Sequence, residues 1–140
     1  MTSPTVELQT AIIMRLQADP KLAPFIGDRV YDHVPLTNGK TSAKFPYVSF
    51  GPVDEISDDA TCVTGFEITM QLDVWSRAIG FQECRKIIDL VRRSLLDDDL
   101  EINDNALVSF THRQSMTMRD PDGLTSHGVM SFVAYVEQTA

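Results

Sequence analysis

The sequence predicts an α+β domain: a mainly antiparallel β-sheet flanked by two α-helices. Three observations carry that expectation. Phe66, Ile68, Met70, Leu72 and Val74 alternate with Glu67, Thr69, Gln71 and Asp73, the period of a strand with one buried and one wet face. Cys84, Ile87, Ile88, Val91 and Leu95 recur at helical spacing, with Arg85, Lys86, Asp89, Arg92 and Arg93 on the rest of the surface. Asp120-Pro121-Asp122-Gly123 separates runs 106–119 and 125–137, the pattern of a long β-hairpin. Elements read in the order α-β-β-β-α-β-β, and consecutive strands with few crossovers favour antiparallel pairing.

Each element has a local cause. Ser3-Pro4 reads as an N-cap with proline in the first turn. Leu8, Ala11, Ile12 and Leu16 then form one stripe, and Asp19-Pro20 stops the helix near residue 18. Leu22 to Ile26 is a short turn closed by Gly27, and Arg29 to His33 a short strand. Leu36 to Lys44 is polar around Asn38-Gly39, which fits a hairpin tip or an extended loop. Phe45 to Val53 reads as a strand whose Pro46 and Pro52 suit strand ends or an edge. Asp54 to Thr61 reads as an acidic loop, and 62–76 as the clearest strand. The triplet Asp97-Asp98-Asp99 opposes the dipole of the helix over 81–96 and so disfavours its continuation. A hairpin turning tightly at 120–123 would set Arg119 opposite Leu124, His127 opposite Met116 and His112 opposite Ser131.

The chain of 140 residues fits a single domain spanning 1–140, with a folded surface of about 7,000 Å² against about 23,000 Å² unfolded. Twelve Lys and Arg face twenty Asp and Glu, a net charge of −8. The excess is spread evenly, −4 in each half. Such a balance offers little material for the basic face that gripping nucleic acid requires. Cys62 and Cys84 read as two reduced core residues, with no C-x-x-C motif. The longest strictly apolar run before residue 100, Ala11 to Met14, is far below the ~20 residues of a membrane span, and no targeting segment is evident. A soluble chain made in a cytoplasm is expected.

No catalytic spacing emerges: there is no G-x-S-x-G, G-x-x-x-x-G-K-[ST], G-x-G-x-x-G or H-E-x-x-H. His33, His112 and His127 read as solvated or hydrogen-bonded histidines. The carboxylates at 54–59 and 97–104 lack the EF-hand pattern, so no metal, catalytic residue or cofactor is assigned. Trp75 falls on the polar side of its strand, either under a helix or at a protein interface. Phe66 and Phe81 read as core.

Four segments, in order along nearly the whole chain, carry a family resemblance. They are Leu8 to Leu16 continuing through Ile26-Gly27-Asp28-Arg29-Val30-Tyr31-Asp32-His33-Val34-Pro35, and Phe45-Pro46-Tyr47-Val48-Ser49-Phe50-Gly51. Then come Leu72-Asp73-Val74-Trp75-Ser76-Arg77, and Arg119-Asp120-Pro121-Asp122-Gly123 with His127-Gly128-Val129. The chain resembles the small tail-completion proteins, or tail terminators, of long-tailed phages, prophages and gene transfer agents, and is similar to lambda-type terminators. It departs from them in its longer insert Leu36 to Lys44.

The resemblance implies a structural virion protein, not an enzyme. It implies a homohexameric ring that caps the head-proximal end of the tail tube and stops its polymerisation. The ring would meet the tail tube protein on one side and a head-side stopper or connector protein on the other. DNA would pass through its lumen without specific binding. A head-side stopper or other neck subunit is the alternative of the same class; a small Asp/His hydrolase or a monomeric binding module are the others. Candidate interface or lumen residues are Asn38, Gly39, Lys40, Asp54, Glu55, Asp58, Asp59 and Trp75. Hairpin 106–137 and strand 62–76 are expected to contribute to inter-subunit sheet contacts.

Overall fold

The computed structural model describes residues 2–138. Helix α1 (Pro4–Ala18) begins as its sequence dictates: Ser3 is extended and its hydroxyl accepts from the Val6 amide at 3.3 Å. Leu8, Ile12 and Leu16 are buried, and Asp19 ends the helix in an extended conformation. The turn after it is a single helical turn, α2 (Ala23–Ile26), with Leu22 and Ile26 driven into the core and Gly27 closing it at φ 57°.

Strand β1 (Val30–Tyr31) pairs in parallel with β4 (Tyr47–Ser57). Between them, β2 (Leu36–Thr37) and β3 (Lys40–Thr41) form a separate hairpin. Asn38 and Gly39 both have positive φ, 54° and 76°, the conformation a two-residue primed turn demands. The insert is therefore a hairpin and not an extended loop. Strands β4, β5 (Thr64–Ser76), β7 (Ser126–Gln138) and β6 (Ala106–Arg119) complete a sheet of order β1-β4-β5-β7-β6. All pairs but β1–β4 are antiparallel.

Helices α1 and α3 (Gln82–Leu96) cover one face. The core lies between them and Ile68, Met70, Leu72 and Val74 of β5 and Met130, Phe132, Ala134 and Val136 of β7. The expected alternation in β5 and the expected stripe of α3 both hold. Total accessible surface is 7896 Å².

Four expectations need correction. Asp54 to Ser57 are not loop but the second half of β4, paired with Thr69 to Phe66. The strand passes Pro52 through a register shift between Phe50 and Val53, where the missing proline N–H costs the ladder no bond. Cys62 is exposed, in the left-handed region at φ 63°, in the turn before β5; only Cys84 is core. Strand β5 is enclosed by β4 and β7, so it has no edge to offer another subunit. Beside the turn the hairpin register lies two residues from that expected, with Arg119 facing Ser126 and Met118 facing His127; beyond the shift between His112 and Gln114 the offset is one, and His112 faces Phe132. The loop is longer because the Asp122 carboxylate accepts from the Leu124 and Thr125 amides, both at 2.8 Å, and from the Thr125 hydroxyl at 2.7 Å. These bonds hold Asp122 below the usual carboxylate range.

Helix α1 also orders the acidic 97–105 loop at both its ends. The Arg15 guanidinium donates to the carbonyls of Ser94, Asp98 and Asp99 at 2.7, 3.1 and 2.9 Å, satisfying the C-terminus of α3 beside three aspartates. The Glu7 carboxylate accepts from the amides of Asn103, Asp104 and Asn105 and from Asn105 Nδ2, at 2.6–3.1 Å.

Candidate assembly surface

The second sheet face carries no helix, which decides the setting of Trp75. Its indole N–H donates to Ser49 Oγ at 3.0 Å, and its ring stacks on His127 at 3.8 Å between centroids and 9° between planes. Tyr47 stacks on its other side at 6.4 Å, and Tyr31 meets Tyr47 edge-on. Trp75 is thus neither under a helix nor free; it is the middle of an aromatic row crossing four strands, half-buried by its neighbours. His127 Nε2 lies 2.8 Å from Asp73 Oδ1, which also accepts from Gln71 Nε2 at 2.9 Å.

The members of this cluster are far apart in the chain, which hides it in the sequence. The signal that could reveal it is the register of β4 with β5 and of β5 with β7, which sets Tyr47 beside Trp75 and Trp75 beside His127. Burial raises the Tyr47 hydroxyl above its ordinary pKa, opposed by a Thr41 hydrogen bond and by Arg77.

The named candidates separate into two groups at opposite ends of the sheet. Asn38, Gly39 and Lys40 sit on the exposed β2–β3 tip, and Trp75 is at that same end, where Tyr47 begins β4. Asp54, Glu55, Asp58 and Asp59 lie at the other end. Asp54 faces Thr69 on the bare face, while Glu55 points to the helix side and accepts from the Thr5 hydroxyl. The Asp58 carbonyl accepts from Tyr135 Oη at 2.9 Å, and Asp59 Oδ1 accepts from the Gly65 amide at 3.1 Å. A Cβ on Gly65 would lie 2.2 Å from Tyr135 Oη, so only glycine lets this tyrosine cross β5. Partial burial, then Asp58, Glu137 and Asp59, raises the Tyr135 pKa.

Folding also converts an even charge distribution into a polar one. Residues 54–67 and 97–105 with Glu137 gather eleven carboxylates and no Lys or Arg at one end of the sheet. Segments 27–46, 77–86 and 119–125 gather seven of the twelve cations at the other, against five carboxylates. There Arg77 lies over the Phe45 ring at 4.1 Å, and Arg85 and Arg119 lie over Phe81 at 5.1 and 4.6 Å. Phe81 is accordingly only half-buried.

Three surface clefts of about 440, 730 and 320 Å³ border the 97–105 loop or the end of α3. None is lined by histidine or cysteine, and the His127–Asp73 pair lies outside all three. Among the described residues no three His, Cys, Asp or Glu side chains converge to hold a metal. No described helix is long and apolar enough to cross a membrane.

Residues 10–137 match the family model of tail completion protein gp17. The chain belongs to that family. Tail completion is structural work, and this tail-completion protein is a structural protein of a phage-type tail, not an enzyme. Its fold is similar to a chain in the virion of a native gene transfer agent particle, with a TM-score of 0.84 and 26% identity over 98% of this chain and 99% of that one. It is also similar to the gp17 protein of bacteriophage SPP1, with a TM-score of 0.58 and 21% identity over 93% and 88% of the two chains, a likeness of fold. No curated protein matches it in sequence.

Proposed function

We propose that this tail-completion protein acts as a tail terminator in a phage-like virion. Six copies close into a ring on the head-proximal end of the tail tube, end its polymerisation, and present the opposite surface to a head-side connector while DNA passes through. The observation that carries the reading is a family member whose sheet leaves one face bare. In a closed ring that face turns inward.

The dimensions support this. The four long strands at about 4.8 Å make a sheet about 19 Å wide, so six set edge to edge enclose a circle about 37 Å across. Side chains reduce that opening but leave a channel. The lining suits passage of a polyanion. Strands β4, β5 and β7 contain no Lys or Arg, and the bare face offers Thr69, Gln71, Ser131 and Glu67. Carboxylates act on a passing phosphate within about one Debye length, ~10 Å at 0.1 M salt. A surface without cations releases DNA instead of holding it. The aromatic and cationic end with Asn38, Gly39, Lys40 and Trp75, and the acidic end with Asp54, Glu55, Asp58 and Asp59, then become the two axial surfaces, one for tube and one for connector.

The test is removal of the gene from a particle-producing strain. Overlong or unjoined tails are expected; normal-length tails on filled heads would refute the reading, and co-purification with tailless heads would place the protein on the head side. Gln71→Arg with Ser131→Arg should leave particles assembled and slow DNA delivery.

A further inference from the structure

The two outer edges of the sheet are unlike, and each has exposed apolar side chains. Strand β6 is an edge along all fourteen residues. Strand β4 is covered by β1 only at Val48 and Ser49, which leaves 51–57 without a strand partner on that side among the described residues. Of the nine exposed large apolar side chains among the described residues, five belong to these edges or to the insert beside them: Val108, Met116 and Met118 on β6, Ile56 on β4 and Leu36 on β2. Ile56 and Val108 are 55% and 56% exposed. An uncovered edge with apolar side chains is a surface awaiting a strand.

We propose that the edges complete each other between copies: β6 of one protomer adds the 51–57 stretch of the next protomer's β4, and that protomer's 36–41 hairpin packs on Met116 and Met118. The proposal rests on the ring of the preceding section and specifies its seam. Three observations carry it.

The first is direction. Going across the sheet, β4, β5, β7 and β6 alternate, so β6 and β4 run oppositely. Rotation about a ring axis keeps every copy in the same axial sense, so the seam is antiparallel and the alternation continues through it.

The second is height. Ile56 shares its cross-strand row with Glu67, Tyr135 and Ser109, the residue next to Val108. Met118 shares its row with His127, Trp75 and Tyr47, and Tyr47 is hydrogen-bonded by Thr41 of the insert. Ile56 thus stands at the height of Val108, and the insert at the height of Met118, and this match sets the stagger of the seam near zero.

The third is charge. Arg113, set out of the β6 ladder by the shift between His112 and Gln114, is the only cation in the half of β6 that would meet Asp54 and Glu55.

Contact between unlike edges closes by rotation, whereas β6 against β6 would stop at a dimer. It also accounts for the insert. An isolated two-stranded hairpin is marginal in water, and here a neighbour supplies its second layer.

Particles assembled from Ile56→Cys/Val108→Cys chains in a Cys62→Ser background test the seam under mild oxidation. A covalent ladder from two to six copies is expected, and none from either cysteine alone. Imaged particles that retain a six-fold ring but give no ladder would overturn the seam and leave the ring standing; particles with no ring would overturn the ring itself. Dimers from Ile56→Cys alone would mean a two-fold contact and refute the proposal. Leu36→Asp should cut incorporation into particles several-fold with an unchanged melting temperature of the free chain. Unchanged incorporation would remove the insert from the seam.

Discussion

Gly128 pairs with Val74 and Thr117 in the middle of the sheet and faces α3. A Cβ at this position would lie 2.5 Å from Ile88 Cδ1, 3.0 Å from Cys84 Sγ and 3.1 Å from Ile88 Cγ1. Contact distances of roughly 3.5–4.0 Å are optimal, so Gly128→Ala must displace Ile88 or push α3 outward. Overpacking of this kind costs about 1–3 kcal/mol. Relief of the glycine's conformational entropy returns about 0.5–1 kcal/mol. A net loss of about 1–2 kcal/mol, or roughly 3–8 °C in melting temperature, is expected.

Ile88→Val deletes the nearest offending methyl. In the parent it should cost about 0.5–1.5 kcal/mol; in the Gly128→Ala chain it should cost nothing or restore stability. Urea unfolding of the four chains, followed by Trp75 fluorescence and circular dichroism, gives the coupling. Additivity within about 0.3 kcal/mol, or a stabilising Gly128→Ala, would refute the claim that this glycine sets the approach of α3 to the sheet.

Burial raises the Cys84 thiol to about 11. Native protein should therefore be alkylated at the exposed Cys62 alone, with Cys84 reacting only on unfolding. Above pH 9 the unfolded thiol ionises first, so this residue lowers stability as pH climbs from 9 to 11; Cys84→Ala should flatten that decline. Glu7→Ala should release the amides of 103–105 to fast hydrogen exchange and cost about 1.5–3 kcal/mol, since its partners are half-exposed hydrogen bonds to a charged group. Protection left unchanged there would contradict its role. Asp122 has a lowered pKa, so it contributes stability above its unfolded value of 3.8 and loses it as pH falls through the folded one. The stability gap between parent and Asp122→Ala should accordingly shrink in acid, as measured by denaturant midpoints from pH 7 to 3.

Periodicity and punctuation alone determined much of this protein. The stripe at Cys84 to Leu95, the alternation from Phe66 to Val74, the Ser3-Pro4 start and the β6–β7 hairpin depend on residues within a turn or two of one another, so the chain specifies them locally. The family resemblance was equally legible, because its segments keep their order. What lay beyond local pattern was decided by tertiary contacts. Asp54 to Ser57 read as loop because a polar, acidic run looks solvated in one dimension, yet a sheet edge gives carboxylates water and a ladder at once. Asp122 moved the hairpin register beside the turn by two residues through bonds to its own loop, while the pairing of β5 with β7 brought His127 onto Trp75. The carboxylates appeared evenly spread along the chain. The β4–β5 turn holds segment 54–67 at one end of the sheet and helix α3 returns 97–105 to that same end, and only that return separates an acidic end from a cationic one.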